Sequence, residues 1–299
     1  MDNWCIVFPG REAVLKGMDD SFFKCFKEAK YAFEEAAEFC NMNLAEMCYE
    51  ESIIKPQWQT ICLVTHCYAI YKCILKEYGH PVCAAGYSQG EFTACTSAGV
   101  FSFPEVLGLV NRLERLLLQS NSSTECMFRL IDIETDSLEK ICQVVDNSGI
   151  QVSISSYISD KQNIISGKKE EVYRVIQIAK QNGARWAIDL NSDRAYHCPL
   201  CSDTAKKSEI YFYKETLGKA EFPVYSCFDG EKSLEAYDIL YKLSKQINHP
   251  IQWNKIVKNL VKNDIFKMTE IGPGCTVSAN SRIADSRLIC KWIGCMDDI

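Results

Sequence analysis

Apolar side chains recur along this chain in two rhythms, and recognisable punctuation separates them. Over residues 20–40, Phe22, Phe23, Phe26, Ala29, Phe33 and Ala36 fall at helical spacing with Lys and Glu between them, which predicts an amphipathic helix. The stretch 57–78 is richer in apolar residues, so this second helix is expected to be more deeply buried, and Gly79-His80-Pro81 ends it. Short apolar runs read as strands instead. Ile6-Val7-Phe8 is stopped by Pro9-Gly10, and a small-residue run covers 82–85. A helix is expected over 91–98, stopped by Gly99, and another over 103–119 with Pro104 in its first turn.

The pattern changes after the polar run Ser120-Asn121-Ser122-Ser123-Thr124. Beyond it the order is strand (127–133), helix (137–145), strand (150–157), strand (163–166), helix (170–181) and strand (185–190). This βαββαβ succession is the ferredoxin-like motif. It predicts an inserted subdomain over 124–195 within a larger α/β domain made of 1–123 and 196–299. The last part alternates again: a strand over 224–228, helices over 237–246 and 253–262, and a strand over 266–271 before Gly272-Pro273-Gly274. No internal repeat is present.

Composition narrows the function classes. Hydrophobic residues make up 47% and charged residues 24%, as expected of a soluble globular protein. The net charge of −6 leaves no basic excess to neutralise phosphates, so no nucleic acid is expected as partner. The start carries Asp2 and breaks at Pro9, unlike a signal peptide, and no apolar run reaches the roughly 18 to 20 residues of a membrane helix. The chain is therefore expected to be cytoplasmic, with no membrane partner. Its 17 cysteines then read as reduced thiols at small apolar positions. Cys198-Pro199-Leu200-Cys201 is a lone Cys-x-x-Cys with too few companion ligands for zinc, so Cys198 and Cys201 are read as structural.

Chemistry enters at Gly86-Tyr87-Ser88-Gln89-Gly90, a Gly-x-Ser-x-Gly pattern between a strand and a helix. The sharp turn projects the hydroxyl, small flanking residues let strand and helix pass closely, and the next amide opens a helix where it can face an oxyanion. A serine nucleophile needs a base. His66 falls within an apolar helix, His80 in a helix stop, His249 before Pro250, and His197 where the chain returns from the insert. Composition alone leaves the choice among them open.

Taken together, Phe8-Pro9-Gly10, Trp58-Gln59-Thr60, Gly86–Glu91, Ser97-Ala98-Gly99-Val100, His197-Cys198-Pro199-Leu200, His249-Pro250-Ile251-Gln252-Trp253 and Glu270-Ile271-Gly272-Pro273-Gly274 resemble the malonyl-CoA:acyl-carrier-protein transacylase family, in its order and spacing. The resemblance implies an α/β-hydrolase-like large domain with a ferredoxin-like insert. It further implies a Ser88–His197 dyad, with the Gln252 backbone carbonyl orienting the imidazole and the amides of Gln89 and Arg11 forming an oxyanion hole. The implied reaction is ping-pong, from an acyl-CoA or carrier-protein thioester through acyl-Ser88 to the phosphopantetheine thiol of an acyl carrier protein, with no cofactor or metal. A monomer is expected. Lys168, Lys169, Arg174, Lys180 and Arg185 are candidates for the charge that docks an acidic carrier protein.

Several positions depart from that family. Malonyl-specific members carry a carboxylate-binding arginine after the nucleophile; here an ungapped count reaches Leu113, and a shift by one reaches Glu114. Arg112 and Arg115 point roughly 100° and 200° away from residue 113 on a helix. Tyr87 replaces a histidine, Arg11 a glutamine and Thr60 a glutamine, while Arg194 and Tyr196 occupy the stretch that tracks extender choice. The expected donor is therefore a neutral acyl group, with Leu113 as an apolar wall or Glu114 repelling a carboxylate. The alternatives are an acyl hydrolase that clears carrier proteins, a malonyl transacylase with its arginine relocated to Arg112, Arg115 or Arg194, and a non-catalytic carrier-binding scaffold.

Overall fold

Strand β1 (Trp4–Phe8) is five consecutive buried residues, the pattern of a strand covered on both faces. A computed structural model describes residues 3–50, 54–119, 124–192 and 194–299; the polar run at 120–123 lies outside the described residues. After β1 come α1 (Ser21–Cys25), α2 (Lys27–Cys40), α3 (Leu44–Tyr49), α4 (Pro56–Tyr78), β2 (Cys83–Gly86), α5 (Gly90–Ser97) and α6 (Phe103–Gln119). Next are β3 (Glu125–Ile131), α7 (Thr135–Val145), β4 (Val152–Tyr157), β5 (Gln162–Lys168), α8 (Lys169–Gln181) and β6 (Trp186–Asp189). The chain continues through α9 (Ser202–Phe212), β7 (Val224–Tyr225), β8 (Lys232–Ser233), α10 (Ala236–Lys245), α11 (Trp253–Lys262), β9 (Lys267–Ile271), α12 (Thr276–Ala284) and β10 (Ile289–Ile293).

The fold is mixed α/β, with two separate sheets. The larger has the order β10-β9-β1-β2-β7-β8, parallel except for the antiparallel edge β7–β8. Alternation along β1 divides the apolar interior. Ile6 and Phe8 enter the cluster that contains α2, α4 and α6, while Cys5 and Val7 face α11 through Trp253 and Val257. The smaller sheet is antiparallel, in the order β4-β5-β3-β6. Its Phe128, Leu130, Ile154 and Ile165 pack on Leu138 of α7 and Val175 of α8. The other face of β3 presents Met127 and Arg129 to the cleft between the sheets. The smaller sheet is tied along β4 to the segment leading into α11, where the Tyr157 amide donates to the Ile251 carbonyl at 2.8 Å and the Ile251 amide to that of Ser155 at 2.9 Å.

The βαββαβ order over β3–β6 is the one the periodicity predicts. The helix expected over 20–40 is instead broken at Phe26, whose extended backbone (φ −114°, ψ 132°) separates α1 from α2. Periodicity cannot show such a break, because Phe26 stays on the apolar face and stacks on Phe22 at 5.7 Å. Only Val224–Tyr225 of the 224–228 run is paired as a strand. Among the described residues, no helix is long and apolar enough to cross a membrane.

Candidate active site

The Gly-x-Ser-x-Gly turn folds as its composition requires. Ser88 has φ 55°, a left-handed conformation that non-glycine residues rarely adopt. Strand and helix can approach that closely only because both flanking residues lack Cβ. A Cβ on Gly86 would sit 2.0 Å from the Gly90 carbonyl carbon, and one on Gly90 would sit 2.2 Å from the Phe8 carbonyl oxygen. The same packing brings the Phe8-Pro9-Gly10 loop against the turn: a Cβ on Gly10 would lie 3.4 Å from Ser88 Cβ. Gln89 is the N-cap of α5, so its amide is one that the helix itself leaves without an intrahelical acceptor.

Of the four histidines, the fold brings one to this turn. His197 Nε2 lies 2.6 Å from Ser88 Oγ. Gln89 Oε1 also accepts from Oγ at 2.7 Å; one hydroxyl proton serves one of these acceptors at a time. His66 is fully buried beside the Tyr49 hydroxyl, His80 is exposed, and His249 Nδ1 donates to the Lys245 carbonyl at the end of α10. His197 itself sits at φ 55°, a strained backbone at a candidate site. Desolvation in the cleft lowers its pKa to about 4, against a smaller opposing effect of the Gln246 carbonyl, with Arg11 adding to the depression. The imidazole is thus held neutral, the state a general base needs.

The acceptor for His197 Nδ1 is the Gln246 carbonyl, at 2.7 Å, and not that of Gln252. The Gln252 carbonyl is occupied: it accepts from the amides of Lys255 and Ile256 in the first turn of α11. Gln246 is the C-cap of α10, where the last carbonyls have no helical amide to bind and carry the negative end of the helix dipole. Sequence reasoning missed Gln246 because it took the nearer His-Pro-Ile-Gln-Trp motif; a C-terminal helix position four residues before Pro250 was the available signal.

Ser88, His197, Gln89, Arg11, Tyr87 and Tyr196 line one cavity of about 370 Å³. The Tyr87 hydroxyl contacts Ser156 Oγ of β4 at 2.6 Å, and its ring packs edge-on to Trp253 at 5.5 Å, so it ties the serine turn to the small sheet. Leu113 does not line the cavity; it is buried in the core beneath α6. Glu114 does not line the cavity either; it is buried behind Arg11, which does, and is paired with it. Its carboxylate accepts from Arg11 and from Thr60 Oγ1 (2.7 Å), while Arg11 Nη1 donates to the Tyr196 hydroxyl at 2.9 Å. Arg112 is drawn off to Glu215 and lies over the Tyr211 ring, Arg115 is exposed, and Arg194 is buried and donates to the Leu117 carbonyl. None of the three is brought to the cavity.

The Arg11–Glu114 pair yields a stability prediction. Glu114's side chain is only 3% exposed, so Arg11→Ala would strand a buried carboxylate. It should cost about 3–5 kcal/mol, whereas Arg11→Met with Glu114→Leu should recover most of that loss. Urea denaturation of the three proteins measures it, and equal stability of Arg11→Ala and wild type would contradict the pairing.

Two acidic residues of the recognised motifs serve as braces. Glu91 accepts from the Cys227 amide at 3.1 Å, and Glu270 from the amides of Val277 (3.1 Å) and Ser278 (2.7 Å) at the start of α12. Burial raises both carboxyl pKa values to about 7. Cys201 Sγ donates to the Ala195 carbonyl at 3.2 Å, and Cys198 is buried beside it. Among the described residues, no group of three or more metal-ligating side chains comes together.

No family model matches the chain. Relatives do match over nearly all of it. The malonyl CoA-acyl carrier protein transacylase of Bacillus subtilis strain 168 is 26% identical over 294 residues, covering 96% of this chain and 92% of that protein. The one from Escherichia coli strain K12 is 27% identical over 292 residues, covering 96% and 94%. A malonyl-transacylase solved in complex with its type II polyketide-synthase acyl-carrier protein superimposes with a TM-score of 0.93, at 26% identity, over 99% of this chain and 97% of that one. The chain is thus similar over nearly its whole length, in sequence and in fold, to malonyl CoA-acyl carrier protein transacylases.

Proposed function

We propose that the chain transfers an acyl group from a CoA thioester to the phosphopantetheine thiol of an acyl carrier protein through acyl-Ser88. The observation that carries this reading is the relay Ser88 Oγ–His197 Nε2 (2.6 Å) and His197 Nδ1–Gln246 carbonyl (2.7 Å) at the wall of one cavity. In the first half-reaction the Ser88 proton passes to Nε2 as Oγ bonds to the thioester carbonyl carbon. The Gln246 carbonyl fixes the tautomer with the proton on Nδ1 and stabilises the imidazolium that forms. The amides of Gln89 and Arg11 are assigned to the oxyanion. Collapse expels the CoA thiolate, which takes the proton from Nε2. The carrier thiol then repeats the sequence in reverse roles, so atoms and charge balance without a cofactor.

The donor we assign is a malonyl-type acyl group, in line with the names of the relatives. The neutral donor expected from the sequence loses both of its supports. Leu113 is not in the cavity, and the charge of Glu114 is cancelled by Arg11. The carrier-protein partner is supported by the complex in which the similar malonyl-transacylase was solved. Of the basic residues considered for docking it, Lys168 is paired with Glu125 and Arg174 with Glu171, so those two offer less charge than the sequence suggests.

Intact-mass measurement tests the reading. Incubation with malonyl-CoA should give a single malonyl adduct that disappears on adding holo-acyl carrier protein, with the acyl group recovered on the carrier. An adduct lost to water at the same rate with or without the carrier would make the protein a hydrolase. No adduct with any acyl-CoA or acyl-carrier donor would favour the scaffold.

A further inference from the structure

We infer that Arg129 holds the free carboxylate of the acyl group, taking over on β3 the role that an α6 arginine plays in malonyl-specific relatives. This rests on the transacylase reading above. A carboxylate in a partly closed cavity is costly unless it is paired, and a guanidinium pairs with it in bidentate fashion. The other arginines near the site are committed elsewhere: Arg11 to Glu114 and Tyr196, Arg112 to Glu215, and Arg194 to the Leu117 carbonyl.

Arg129 differs from all of them. It lines the same cavity as Ser88 and His197. Its backbone sits in the middle of β3, paired with Ile164 of β5 on one side and Ile188 of β6 on the other, so the anchor point is rigid. Among the described residues, its one side-chain hydrogen bond is a long contact of 3.4 Å from Nη1 to Asn280 Oδ1, and its buried Nε has no acceptor. A partly desolvated guanidinium with unused donors, facing the cavity of an acyl-serine enzyme, is a ready carboxylate site. Glu12, on the same cavity, attracts Arg129 electrostatically, but no salt bridge closes between them among the described residues. Desolvation in the cavity outweighs that attraction and raises the Glu12 carboxyl pKa, so Glu12 is a weak partner that an incoming carboxylate can displace.

Acylation rates of Ser88 by malonyl-CoA and acetyl-CoA, read as a ratio, test the assignment. Arg129→Gln should lower the malonyl-to-acetyl ratio of kcat/KM by about tenfold or more, the loss of a charge-assisted hydrogen-bonded pair. Arg129→Lys should fall between Gln and wild type, since an ammonium keeps the charge and loses the fork. Glu12→Gln should raise the ratio by about two- to threefold, which keeps the idea testable if Arg129→Gln does not fold. A ratio unchanged in both Arg129→Gln and Glu12→Gln overturns the proposal, as does a wild-type protein that loads acetyl but not malonyl. A binding measurement separates this from the transfer reading. In a Ser88→Ala background, Arg129→Gln should weaken malonyl-CoA about tenfold relative to acetyl-CoA. If wild type forms no adduct but this difference persists, transfer is wrong and the anchor stands; if wild type transfers malonyl and the difference is absent, only the anchor falls.

Discussion

The Ser88→Ala protein should carry no acyl adduct under conditions that label the wild type completely. Ser88 is held at φ 55° between two glycines that admit no Cβ, so its hydroxyl is presented to the cavity by the backbone itself. Alanine accepts the same turn at similar cost, which keeps the fold and isolates the chemistry. Without Oγ there is no atom to bond to the thioester carbon, and the expected loss is at least about 10³-fold, with only binding and the oxyanion amides left. Intact mass after incubation with malonyl-CoA reads it directly. An adduct that survives on the alanine protein would move the nucleophile elsewhere, with the 17 thiols as the first places to look.

His197→Ala should slow acylation by a comparable factor, on the order of 10³ or more, because Oγ would have to lose its proton to water. The pH profile gives a second, independent reading. The base acts in its neutral form, and desolvation has lowered its pKa to about 4. Activity should therefore stay level as pH falls from 7 past the ordinary histidine value near 6.5, and drop only on passing through about 4. A rate that halves near pH 6.5 would mean that His197 is solvated in the working enzyme, or that another group is the base. His66→Ala should act through stability instead, since that ring is buried at the Tyr49 hydroxyl and lines no part of the cavity.

Much of the scaffold was legible in one dimension because its signals are local. The helix over 103–119, with Pro104 in its first turn, and the helix over 253–262 begin and end where the apolar period places them. The βαββαβ order over β3–β6 follows from the switch between strand and helix periods along the chain. Elements with weak periodicity escaped. The helix α9 has only Thr204, Ser208 and Phe212 buried, and β10 is largely exposed, with Lys291 among its apolar residues. A strand at the edge of a sheet needs few buried positions, so its sequence carries little trace of its state.

The site divides along a related line. Ser88 was readable because a nucleophile at a strained turn demands glycines two residues away on each side, a constraint written into adjacent positions. His197 required the wider set of family motifs, since nothing local distinguishes it from three other histidines. Beyond that the sequence stops. That Gln246 and not Gln252 faces the imidazole depends on which carbonyl is already taken by a helix turn, a matter of hydrogen-bond accounting in three dimensions. That Arg11 neutralises Glu114 across 103 residues, that Leu113 turns inward, and that Arg129 opens onto the cavity are consequences of helix rotation and sheet register. The sequence by itself determined the fold class, through periodicity and the order of elements, and marked Ser88 as the candidate nucleophile through a short-range backbone constraint; His197 as its partner came from the family resemblance. The charges around the cavity were decided only by tertiary structure, because Coulomb interactions act through space between residues whose sequence separation carries no information about their distance.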